Sequence, residues 1–185
     1  MRLLFLLLIF TTHPIMANLI EHLKEREGVK YVSYLDSLDK LTGGVGHLLT
    51  LEEQKMYPKG TQIPKQVVDQ WLHEDLTWAK KAAQQQAKSI DGATPELIDA
   101  LVSVNFQLGE NWHTVHKKTW EYLSTGKYNE ASQEVFDSKW HKQTPKRTTD
   151  FSVAIKKFGQ QKELINYNRQ QALTDDQIMG AFSGR

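Results

Sequence analysis

Three side chains near the start of the chain have types and spacing suited to acid–base chemistry: Glu27, Asp36 and Thr42. Cleaving a glycosidic bond takes an acid that protonates the leaving oxygen and a second carboxylate that works from its ionised state. Glu27 closes a helical pattern. The negative end of a helix dipole disfavours a further negative charge, which raises a carboxyl pKa toward what a general acid requires. Asp36 falls in a polar turn, Asp36-Ser37-Leu38-Asp39, and should stay ionised. Thr42 brings a hydroxyl able to hold a water. Residue types alone leave another reading open. The chain carries 22 aspartates and glutamates, so some carboxylate pair at any given spacing is expected, and a solvated hairpin is the simpler account.

The elements around these residues decide whether they can meet. Residues 18–26 have a helical pattern, with Leu19, Ile20 and Leu23 on one side, Asn18 as a possible cap and Gly28 placed to end it. Val29 to Leu35 is rich in β-branched and aromatic residues, a strand signal. Lys40 to Leu49 contains Gly43, Gly44 and Gly46, and reads as a weak strand pair with a turn or a close backbone approach. A hairpin folded this way can bring Glu27, Asp36 and Thr42 to one concave wall.

The remainder is helical in pattern. Thr50 and Glu53 have capping-box spacing, and Pro58 ends the short helix they begin. Pro64 opens a long amphipathic stretch to about Lys88. Within it, Gln84-Gln85-Gln86 reads as a short polar patch. Thr94-Pro95 caps a helix carrying Leu97, Leu101, Val104 and Leu108, and Gly109 is its expected stop. Further helices are expected near Thr119–Ser124, Tyr128–Asp137 and Pro145–Phe158. The tail from Gly159 has a second capping-box spacing, Thr174 to Gln177, which suggests a short terminal helix. Spaced on helices, most of the five tryptophans are expected in the core.

At 185 residues the chain is long enough for one domain with a sizeable core, divisible into two lobes. A net charge of +1 gives no electrostatic footprint for nucleic acid. There is no cysteine, so packing must supply the stability that disulfides would add in an oxidising compartment. Residues 1–17 stand apart: Arg2, an unbroken apolar run from Leu3 to Phe10, then the more polar Thr11–Ala17. That is the layout of a secretory signal peptide cut after Ala17, although Ile15 sits where a small residue is preferred. The run is shorter than the ~20 apolar residues a bilayer span requires. A releasable anchor and a buried N-terminal helix are the alternatives.

The segment Glu27-(eight residues)-Asp36-(five residues)-Thr42, followed by Gly44-Val45-Gly46-His47-Leu48-Leu49-Thr50, resembles the active-site signature of the T-even bacteriophage lysozymes. Two distant segments agree with that family in order and spacing: Asn105-Phe106-Gln107-Leu108-Gly109-Glu110, and Ser138 to Arg147 (SKWHKQTPKR). The similarity spans about Leu19 to Phe158. The resemblance implies a predominantly α-helical α+β fold, lysozyme-like, with a small N-terminal α/β-hairpin lobe, a larger helical lobe and a substrate cleft between them. It divides the chain into an export segment (1–17), a lysozyme domain (18–158) and a C-terminal extension without assigned role (159–185). The implied reaction is hydrolysis of the β-1,4 bond between N-acetylmuramic acid and N-acetylglucosamine in peptidoglycan. Glu27 would be the general acid, Asp36 the carboxylate that activates water for attack with inversion, and Thr42 the residue that places that water. Leu48, Phe106, Gln107, Thr119 and Glu134 fall at sugar-contacting positions, and His47 with Asp75 and Arg147 with Glu27 are the expected supporting pairs. Gly43 and Leu41 depart from the family, which carries a larger apolar residue and an aromatic there, and both soften the strand that presents Thr42. No cofactor or metal is implied. The expected partners are peptidoglycan strands and a Sec-type export machinery, with the chain a monomer delivered to the periplasm or beyond the cell.

Competing motifs fail. His73-Glu74 begins like a zinc-protease helix, but Thr77 and Trp78 stand where the second histidine is needed, and the seven histidines show no metal-ligand cluster. Glycines 43, 44 and 46 are followed by no Gly-Lys-Ser/Thr, so they form no phosphate loop. Two other functions fit the same motifs: a lysozyme-like protein that binds peptidoglycan without cutting it, and a lytic transglycosylase. Retention of Glu27, Asp36 and Thr42 together argues against the first. An indispensable Asp36 would count against the second, since that chemistry proceeds with one acid.

Overall fold

The computed structural model describes residues 20, 21, 23–25, 28–36 and 38–183. Residues 1–17, read from the sequence as an export segment, and Glu27 therefore lie outside the described residues. The chain divides into two compact units, Met1–His73 and Glu74–Arg185. Together they give the expected predominantly helical α+β fold with a small sheet.

The first unit is built on a three-stranded antiparallel sheet, β1 (Lys30–Leu35), β2 (Leu41–Gly44) and β3 (His47–Leu48), in that spatial order. Thr42 faces Tyr34 on one side and Leu48 on the other, and Gly43 faces His47. The β1–β2 register shifts between Lys30 and Tyr34. Residues 61–63 run alongside β1 by backbone hydrogen bonds from Ser33 N–H to Thr61 O and from Ile63 N–H to Tyr31 O, at 3.0 and 2.8 Å. Helix α1 (Leu51–Met56) has the predicted capping box, with Thr50 and Glu53 each accepting from the other's backbone. Helix α2 (Lys65–Ala87) starts after Pro64 as the sequence predicts and crosses into the second unit.

Gly43 corrects one expectation. A Cβ on it would lie 2.5 Å from Ile63 Cδ1 and 3.3 Å from the Trp71 ring. The volume of a larger residue is supplied by Ile63 and Trp71, both buried. The strand is closely packed at this point, not softened.

The second unit continues with α3 (Pro95–Leu108), α4 (Trp112–Val115), α5 (Lys117–Ser124), α6 (Tyr128–Glu134), α7 (Lys139–Gln143) and α8 (Pro145–Ser183). Thr94 caps α3, and Gly109 ends it in the left-handed region at φ 82°. Helix α8 packs against α3, α6 and α7. The short α4 and α7 have no clear periodicity in sequence. Leu97, Leu101, Trp112, Leu123, Phe151, Ile155 and Phe158 are almost completely buried.

Two sequence readings change here. Gln86 is no surface patch but is 7% exposed. Its Oε1 accepts from Asn105 Nδ2 at 2.8 Å and Trp112 Nε1 at 3.1 Å. Its Nε2 donates to Asn105 Oδ1 and to the Glu110 carbonyl, both at 3.0 Å. Helix α8 also does not stop at Phe158; one helix continues through Gly159 and past Thr174, where a new helix start was expected. Gly159 is there for closeness: a Cβ would lie 2.7 Å from Tyr128 Cβ. Beyond it Lys162 Nζ pairs with Asp91 at 2.6 Å.

Candidate active site

The helical residues before the sheet end as expected. Gly28 has φ 72°, which favours glycine, and its N–H donates to Lys24 O at 2.9 Å. Glu27 is the residue before that cap in sequence and lies outside the described residues.

Asp36 stands at the end of β1. Its Oδ1 accepts from Leu38 N–H at 2.8 Å and Lys40 N–H at 2.9 Å. These hold its carboxyl below the ordinary aspartate range, Lys40 N–H foremost and Leu38 N–H next; the Lys40 charge adds to them, and slight desolvation opposes. Asp36 is thus ionised, as the turn chemistry predicts. The Asp36 N–H donates to Lys40 O at 2.9 Å, closing the turn. Thr42 Oγ1 donates to the same carbonyl at 3.1 Å and is 4% exposed. A hydroxyl that has given its proton to a carbonyl retains lone pairs that accept from water.

His47 has partners the sequence reading missed. Its Nε2 lies 3.2 Å from Glu53 Oε2, and its ring stacks on Trp71 with centroids 4.5 Å apart and planes 15° from parallel. The same Glu53 oxygen accepts from Thr50 N–H at 2.7 Å and Thr50 Oγ1 at 2.8 Å. Burial pushes the Glu53 carboxyl up, but the Thr50 and His47 hydrogen bonds outweigh it and leave it below the ordinary range. The signal was present: a capping-box glutamate six residues after a histidine. Asp75, the expected partner of His47, lies on α2 in the second unit.

Leu48 is 52% exposed. With Leu35, Leu41, Lys40 and Lys59 it borders a hollow of about 510 Å3 on the first unit. In the second unit, Gln107 joins the third motif to the second, accepting from Trp140 Nε1 at 2.9 Å and donating to Thr144 Oγ1 at 3.1 Å. Phe106 is half-buried on α3. Thr119 is buried on α5, and Glu134 is paired with Lys118 at 2.7 Å. Arg147 is 6% exposed, its Nη1 donating to the Ser103 hydroxyl at 2.8 Å and carbonyl at 3.2 Å. Its expected partner Glu27 is outside the described residues. Among the described residues no cluster of three or more His, Asp or Glu side chains is arranged to hold a metal. Nor is any described helix long and apolar enough to cross a membrane.

Against known proteins, a family model described as phage lysozyme matches residues 24–152. A protein of Dictyostelium discoideum named probable T4-type lysozyme 1 is 28% identical over 156 residues, spanning 72% of this chain and 90% of the relative.

Proposed function

Because the chain belongs to the phage lysozyme family, we propose that it is a muramidase hydrolysing the β-1,4 bond between N-acetylmuramic acid and N-acetylglucosamine in peptidoglycan. Glu27 gives its proton to the glycosidic oxygen, and the bond to the anomeric carbon breaks. Asp36 takes a proton from a water that attacks the opposite face of the sugar, and the product carries inverted configuration. Thr42 orients that water through an accepting lone pair.

The observation that carries this reading is the state of Asp36. Two backbone N–H groups keep it ionised through Oδ1, and among the described residues Oδ2 has no protein hydrogen bond. A carboxylate held this way is ionised and has one oxygen left to accept a hydrogen bond from a water. The pairs His47–Asp75 and Arg147–Glu27 belong to the same proposal, as do sugar contacts from Leu48, Phe106, Gln107, Thr119 and Glu134. Export through residues 1–17 places the protein where its substrate lies, and rests on the sequence pattern. Loss of cell integrity would follow from cutting the wall.

The test is turbidity loss of permeabilised Gram-negative cells treated with the full-length protein or its Glu27→Gln variant. Clearing by the first alone supports the reading. No clearing by a folded wild-type protein leaves glycan binding without hydrolysis, and equal clearing by both means that another residue is the acid.

A further inference from the structure

Of the five tryptophans, Trp78 is the one that departs most from the expected burial. Trp71, Trp112 and Trp140 are at most 5% exposed, whereas Trp78 is 45% exposed. An exposed indole leaves a large apolar face in water, and tryptophan is enriched where one part of the ring is covered by a partner. Trp78 does not stand on a convex surface. Together with Lys81 and Gln85 on the same face of α2, and with Glu110, Asn111 and His113, it lines a hollow of about 460 Å3 within the second unit. That volume falls within the roughly 300–1,000 Å3 of small-ligand sites.

The walls are fixed and several of their polar groups are unspent. The left-handed turn at Gly109 brings Glu110 and Asn111 round, and Gln86 Nε2 holds the Glu110 carbonyl. His113 Nδ1 lies 3.0 Å from that carbonyl, which can only accept, so the neutral ring keeps its proton there and leaves Nε2 as an acceptor. Among the described residues the Trp78 indole N–H, the Lys81 ammonium, the Glu110 carboxylate and the Asn111 side-chain amide make no hydrogen bond to another protein group. The hollow therefore offers one apolar ring face, donors and acceptors. Its one cation and one anion offset each other, so it selects for neither anion nor cation.

We propose that this hollow is an accessory glycan-binding site, taking one or two N-acetylated sugar residues of a strand with a pyranose face on Trp78. Their hydroxyl and acetamido groups would meet Asn111, Glu110 and His113. None of these residues belongs to the proposed catalytic set, so the site would serve retention on the polymer rather than bond cleavage. The ligand class rests on the muramidase reading.

The experiment separates the two. Binding to purified peptidoglycan sacculi is measured by co-sedimentation with the full-length Glu27→Gln variant as parent, and again with Trp78→Ala and Trp78→Phe added. The expected result is about a tenfold loss of affinity for Trp78→Ala and recovery of most of it by Trp78→Phe. Asn111→Ala should lower affinity severalfold, with an unchanged far-ultraviolet spectrum. Equal binding by the parent and Trp78→Ala overturns the site, and so does a parent that does not sediment with sacculi. Neither result bears on clearing by the wild type, which alone decides the muramidase reading.

Discussion

Asp36 and Thr42 are joined through one intervening residue: the Lys40 N–H is bound by the Asp36 carboxylate, and the Lys40 carbonyl accepts from the Thr42 hydroxyl. The Asp36 N–H donates to the same carbonyl, which makes three bonds in the set. The two side chains proposed to manage the attacking water are therefore registered against each other by backbone, with no flexible side chain between them. An error in one position would be transmitted to the other.

Asp36→Asn should separate chemistry from this framework. The amide oxygen can still accept from Leu38 and Lys40, so the melting temperature should stay close to wild type. Hydrolysis should fall by a factor on the order of 10²–10⁴. Clearing rates and reducing-end release would measure it. Persistent cleavage with anhydro-sugar products would point to a transglycosylase instead.

The Glu53 carboxyl has a pKa below its ordinary 4.5 in the folded chain. A depressed folded value means that its stabilising contribution is present above 4.5 and is lost as pH falls through the folded value. Glu53→Gln should thus lower the melting temperature at pH 7, through a loss of about 1–2 kcal/mol. The difference from wild type should close as pH falls below the folded value, which lies under 4.5. A gap that persisted undiminished well below the folded value would count against the assignment.

Gly43→Ala should cost about 1–3 kcal/mol, because the new methyl meets Ile63 and Trp71 in a filled region. Ile63→Val removes the nearest carbon, Cδ1. The double variant should therefore be more stable than the sum of the two single losses, by urea denaturation. Strict additivity would mean that the two residues do not compete for space.

Gln86→Leu should be among the costlier single changes, at about 2–5 kcal/mol. It strands the Trp112 indole N–H and the Asn105 side-chain oxygen in the interior of the second unit. Equilibrium unfolding measures the loss. A change below about 1 kcal/mol would show that water or relaxation re-satisfies them.

Gly159→Ala pits two effects against each other. Alanine in place of glycine inside a helix gains about 1 kcal/mol, but overpacking costs about 1–3 kcal/mol. With Tyr128 Cβ 2.7 Å from the new methyl, the steric term should win and the variant should be less stable. In a Tyr128→Gly background, which removes that Cβ, the sign should reverse, which paired thermal melts would reveal.

Sequence reading succeeded where local chemistry decides. The Thr50–Glu53 box, the Thr94 cap, the glycine stops at 28 and 109 and the turn at Asp36 are all short-range devices, and they appear where expected. It failed where a partner distant in sequence sets the outcome. Gly159 looked like a stop because its reason for being glycine is Tyr128, 31 positions away. Gln86 read as part of a polar patch because its partners, Asn105 and Trp112, lie 19 and 26 positions away. The His47–Glu53 contact is short-range and was missed for another reason: the capping role already accounted for Glu53, and one carboxylate oxygen serves both.

The Gln86 cluster also shapes how this protein can change over generations. Its three side chains satisfy one another, so a wholly apolar set of similar volume could fill the same space nearly as well. Every route between the two passes through forms with a stranded polar group. The three positions are therefore coupled: a change at Gln86, Asn105 or Trp112 alone should cost more than the same change made together with its partners.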